Sequence, residues 1–91
     1  MNGQGYLCDY YKPWKQDFYC EFIVERYMIN DDDDIDRCRK LIMLATKYAT
    51  AERYAANNQD RNTYLYRISY VDGLLREHIK NVVRVRVERR G

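Results

Sequence analysis

The sequence predicts an α+β fold, a β-α-α-β order in which an antiparallel helical hairpin packs on a short antiparallel sheet behind an aromatic N-terminal arm. Three observations predict it. Residues 35–49 place apolar side chains at i, i+3, i+4 and i+7, and residues 64–79 repeat that spacing. Segments 18–29 and 82–88 instead lean toward alternation and are rich in aromatic and β-branched residues. If residues 18–29 are helical, the alternative is an all-α three-helix protein. At 91 residues the chain has material for one core. The expected organisation is a single domain over 1–91, with an arm at 1–16, a core at 17–88 and a basic tail end at 89–91.

The arm comes first. Gly3 and Gly5 loosen its start, and Pro13 opposes regular structure around Lys12. Tyr6, Tyr10, Tyr11 and Trp14 give it rings to dock with, so it does not read as disordered. In the 18–29 strand, Phe18, Cys20, Phe22, Val24 and Met28 share one face, interrupted by Arg26. Glu21 and Glu25 lie on the other, among Tyr19, Ile23 and Tyr27.

Residues 30–57 form the first helix, with Ile35, Cys38, Leu41, Ile42, Ala45, Tyr48 and Ala49 on one stripe. Asn30 or an early Asp caps it, and the following acids face the positive end of the helix dipole. Asn57 and Asn58 close it. Residues 61–80 form the second helix, with Tyr64, Ile68, Val71, Leu75 and Ile79 inward and Leu74 at the edge. Asp60 or Asn62 caps its start, and Lys80 with Asn81 suits its end. Gly73 lies off the stripe, where close approach of another chain would account for it. Residues 82–88 alternate Val83, Val85 and Val87 against Arg84, Arg86 and Glu88. Paired with the first strand, they set the two arginines opposite Glu21 and Glu25. Two strands leave open edges, so a homodimer stands beside the monomer as an expectation.

Charge is uneven along the chain. Residues 1–80 balance 12 Lys and Arg against 13 Asp and Glu, whereas residues 81–91 carry Arg84, Arg86, Arg89 and Arg90 against Glu88. No apolar run approaches the roughly 20 residues of a membrane span. The first residues lack the order of a signal peptide, and Asn2 stands where myristoylation needs glycine. Three scattered cysteines fit a reducing compartment better than a disulfide framework. A cytoplasmic protein is expected.

No motif carries catalytic chemistry. The run Asp31–Asp34 with Asp36 lacks the central Gly and terminal Glu of a calcium loop, and reads as a helix start before an acidic docking patch. Cys8, Cys20, Cys38 and His78 would make a zinc set by type, but no pair has the short spacing of such sites. Cys20 and Cys38 fall on apolar faces, where a thiol behaves as a small hydrophobe. Glu52 falls within the first helical stripe near its end, where it either emerges into solvent or pairs with Arg61 or Arg67 across the hairpin. Glu52 and Asp72 as a catalytic pair have nothing to fix their distance. No cofactor and no enzymatic activity are expected.

The informative excess is tyrosine, ten in 91 residues. Each buried hydroxyl needs a partner, so a core of this size cannot take them all. Some must stand at a boundary, as recognition residues do. Tyr66 and Tyr70 lie four apart on the back of the second helix, and Met43 and Tyr54 on the back of the first. With Tyr10, Tyr11 and Trp14 of the arm they form the expected partner-binding set. Coverage of the back face by the arm, or by a second copy, is the structural counter-reading.

The expected function is therefore a non-enzymatic interaction protein. It would be an inhibitor or adaptor binding a host protein or nucleoprotein complex, of the kind phage and mobile elements encode. An anti-CRISPR-like role suits it by analogy of size and composition. The alternative is a small nucleic-acid-binding protein. There the arm's rings stack on bases, while Lys12, Lys15, Arg84, Arg86, Arg89 and Arg90 meet phosphates.

Overall fold

The computed structural model describes residues 9–90, and side chains as far as Glu88. After a 3-10 turn at Pro13–Lys15 come three helices: α1 (Gln16–Arg26), α2 (Asp32–Arg53) and α3 (Asn58–Arg90). The α+β expectation is overturned, because neither 18–29 nor 82–88 is a strand and no sheet exists among the described residues. The all-α three-helix alternative is the arrangement found.

Pro13 explains the first correction. Lys12 before it is extended, as a residue preceding proline prefers, and proline's fixed φ suits the first position of a helical turn. The Lys15 N–H donates to the Lys12 carbonyl at 2.8 Å. The chain then runs on into α1 without a break. Once helical, the segment satisfies its own backbone groups, and the tail loses the strand it would have paired with.

Helix α1 ends in a Schellman closure. The Ile29 N–H reaches the Val24 carbonyl at 3.0 Å, and the Met28 N–H reaches Glu25 at 3.3 Å. Met28 takes the left-handed position with φ 52°, where glycine is usual. Buried Ile29 pins the turn. Asp31 caps α2, its Oδ1 accepting from the Asp33 N–H at 2.9 Å and the Asp34 N–H at 3.4 Å. Asp32, Asp33 and Asp34 fill the first turn, where negative charge is favoured.

The α2–α3 turn departs from expectation. Asn57 caps α3 instead of closing α2: its Oδ1 accepts from the Asp60 N–H at 2.8 Å. The hairpin is antiparallel. Glu52 meets Arg61 at 3.4 Å near the bend, and His78 Nε2 donates to the Asp34 carbonyl at 3.0 Å near the far end. The core holds Cys38, Leu41, Ile42, Ala45 and Ala49 of α2 against Ile68, Val71 and Leu75 of α3, with Cys20 and Ile23 from α1.

Helix α3 continues past Asn81 to Arg90. At about 1.5 Å per residue its 33 residues span about 50 Å, against about 33 Å for the 22 of α2. The molecule's longest extent is 51 Å. Within the overhang, Arg86 donates to the Tyr27 and Met28 carbonyls at 2.8 and 2.6 Å. It thus satisfies the C-terminus of α1, while Arg84 approaches Glu88 on its own helix at 4.0 Å. The expected pairing of these arginines with Glu21 and Glu25 does not form.

Candidate partner-binding surface

The arm splits two neighbouring aromatics between inside and outside. Tyr11 is fully buried, its hydroxyl donating to Asp72 Oδ1. The other carboxylate oxygen, Asp72 Oδ2, accepts from Arg76 Nε at 2.8 Å. Tyr19 packs edge-on to Tyr11 at 5.7 Å and tilts against Tyr10 at 5.8 Å. Burial, and then the bond to Asp72, push the Tyr11 phenol upward, so it keeps its proton and stays a donor. The described part of the arm is thereby tied to α3 through the interior. Tyr11, expected on the partner-binding surface, has its ring sequestered.

Trp14 goes the other way. The 3-10 turn leads straight into α1, so Trp14, Phe18 and Phe22 succeed one another at four-residue steps on one side. They are 74%, 71% and 51% exposed. Tyr10 and Tyr19 border this ridge and, with Phe18 and Phe22, line an apolar cleft of about 270 Å³. The inward side of α1 is Cys20 and Ile23. The strand expectation puts Phe18 and Phe22 on one face with Cys20. As a helix, the same residues part company with Cys20 and point away. The four-residue spacing from Trp14 was the available signal.

The other expected residues lie elsewhere. Tyr66 and Tyr70 are 71% and 62% exposed on the outer side of α3, Met43 is exposed on α2 and Tyr54 at its C-cap. Residues 9–15 do not cover them, since that stretch packs at Asp72 and Tyr19. Of the described tyrosines, only Tyr11 is wholly buried. Tyr6 and Cys8 lie outside the described residues, as do the side chains of Arg89 and Arg90.

Among the described residues, the cations expected to meet phosphates are not brought together. Lys12 rests 5.7 Å over Trp14, at the start of α1. Arg86 is engaged at the helix's opposite end, about 17 Å away by its length. Between them lie the exposed acids Asp17, Glu21 and Glu25.

Chemically the interior is quiet. No group of three or more His, Cys, Asp or Glu residues among the described ones is placed to hold a metal ion. Cys20 and Cys38 are buried free thiols. Burial pushes Cys38 up to about 11 and Cys20 in the same direction, which disfavours reactive thiolates. No described helix is long and apolar enough to cross a membrane. No protein-family model, curated protein or solved structure matches the chain.

Proposed function

We propose that the chain is a non-enzymatic interaction module that holds another protein through the α1 ridge, acting as an inhibitor or adaptor. The observation that carries this is the exposure of Trp14, Phe18 and Phe22 on one stripe of a helix whose opposite side is already packed. Exposed apolar residues scattered singly are ordinary, but three large rings in file are not. Tryptophan is among the residues that most often carry interface energy, and its truncation there costs about 2 kcal/mol or more. An inhibitor or adaptor needs such a surface and no catalytic group. The nucleic-acid reading draws less support, because the carboxylates of Asp17, Glu21 and Glu25 flank the ridge and repel phosphate.

The test is affinity capture from host lysate. Three baits are compared: the parent, Trp14→Ala/Phe18→Ala/Phe22→Ala, and Tyr66→Ala/Tyr70→Ala. The ridge variant is expected to lose a protein that the parent and the α3 variant both retain. Equal recovery by all three baits would contradict the ridge as the binding surface.

A further inference from the structure

The ridge has a charged border, and that border specifies a partner. Asp17, Glu21 and Glu25 follow one another at four-residue steps beside Trp14, Phe18 and Phe22, and all three are exposed. With Ile35 and Arg39 of α2 they line a groove of about 430 Å³ between the two helices. None of the three forms an ion pair among the described residues. Most nearby cations are engaged: Lys12 lies over Trp14, Arg26 lies 5.9 Å over Tyr27, and Arg39 approaches Asp36 at 3.9 Å. Lys15 alone stands at the other edge, against the cleft of Tyr10 and Phe18.

Building on the ridge reading above, we infer that the occupant is a basic, apolar protein segment, such as a basic amphipathic helix. Its apolar side would lie on Trp14, Phe18 and Phe22, and its Lys and Arg side chains in the acid-lined groove. A second copy fits less well. Two α1 helices related antiparallel, ridge to ridge, bring acid row against acid row. A membrane also fits less well, because surface-lying helices carry cations on their polar side and are drawn to anionic lipid. Here the polar border is acidic.

Trp14 is the chain's only tryptophan, so its emission reports directly on the ridge. The probes are three synthetic amphipathic peptides without tryptophan, with a Lys/Arg, a Glu or a neutral polar side. Two variants accompany the full-length parent: Asp17→Asn/Glu21→Gln/Glu25→Gln, and Phe18→Ala/Phe22→Ala. The basic peptide is expected to blue-shift Trp14 emission, with affinity that falls as salt rises. Neutralising the acid row is expected to weaken it by about tenfold, and removing the phenylalanines to abolish it.

The two readings fail separately. If the basic peptide binds both variants like the parent, the ridge reading itself fails. If the acidic or neutral peptide binds as well as the basic one, and only the phenylalanine variant loses binding, the ridge stands and the basic partner is wrong. Absence of binding by the basic peptide overturns the inference. So does a blue-shift on adding anionic vesicles or oligonucleotides. Sedimentation of the free protein as a dimer that the phenylalanine changes dissociate does the same. A dry indole signal from the free monomer would show the ridge already covered by the chain itself, and would also overturn it.

Discussion

Helices α2 and α1 treat their apolar residues in opposite ways. In α2 the stripe of Cys38, Leu41, Ile42, Ala45 and Ala49 goes inside, and Met43 and Leu44 lie exposed off it. In α1 the apolar residues are spread around the helix; Cys20 and Ile23 go inside while the larger Phe18 and Phe22 stay out. A helix ordinarily buries its largest apolar side chains and leaves its charged ones outside. Helix α1 is covered on one side, so the rest of its apolar surface is material for contact with something else. The outer side of α3 sharpens the point. Tyr66 and Tyr70 are equally exposed, but a hydroxyl lets each ring sit at a water boundary. A phenylalanine has no such compensation, so its exposure gives the proposed docking surface its firmer support.

The contrast can be attacked from the α2 side first, where the effects are largest. Ile42→Ala is expected to destabilise by about 2–5 kcal/mol in urea unfolding, since Ile42 is fully buried. A loss near zero would mean that the hairpin interior is not where packing resides. Tyr11→Phe comes next. It strips Asp72 of one buried partner and should cost about 1–3 kcal/mol. A neutral result would show that the arm is anchored without this bond.

Alkaline pH probes the same interior. The folded Cys38 thiol is raised from 9.0 to about 11, so the unfolded chain gives up that proton first. The stabilisation is present in full below pH 9.0 and is lost as pH rises toward about 11. Melting temperature should fall over that window, and Cys38→Ala should flatten the part that begins near 9.0. An unchanged alkaline fall in Cys38→Ala would assign it to Cys20 or to Tyr11 and Tyr19 instead. The smallest effect belongs to Gly73, exposed on α3, where an added Cβ would meet nothing within 4 Å. Gly73→Ala should stabilise by about 0.5–1 kcal/mol. No gain in urea unfolding would mean that the helix penalty of glycine is offset within this chain.

The same contrast explains what could be read from the residues. Helix α2 was legible because its apolar period, acidic first turn and capping Asp all agree. The inward stripe of α3 was legible, but its length was not. Asn81 looked like a stop, and Val83 to Val87 alternate like a strand. No Gly or Pro interrupts the helix after Gly73, and Arg86 gains the α1 carbonyls only if the helix continues. Helix α1 was misread for three reasons. Its aromatic and β-branched content favours a strand, and Pro13, expected to oppose regular structure, opens a 3-10 turn. Met28 closes the helix in a conformation normally announced by glycine or asparagine. Read as a strand, the segment sets Phe18 and Phe22 on one face with Cys20, and the ridge does not appear. For Glu52 the stripe left solvent, Arg61 and Arg67 open, and the fold selects Arg61.

One comparison of stabilities bears most directly on the central claim that α1 keeps its largest apolar side outside. Phe18→Ala/Phe22→Ala and Ile23→Ala should be unfolded in urea beside the parent. The double ridge variant is predicted to stay within about 0.5 kcal/mol of the parent, while Ile23→Ala loses about 2–5 kcal/mol. A double variant as destabilised as Ile23→Ala would place those phenylalanines in the interior and contradict the account.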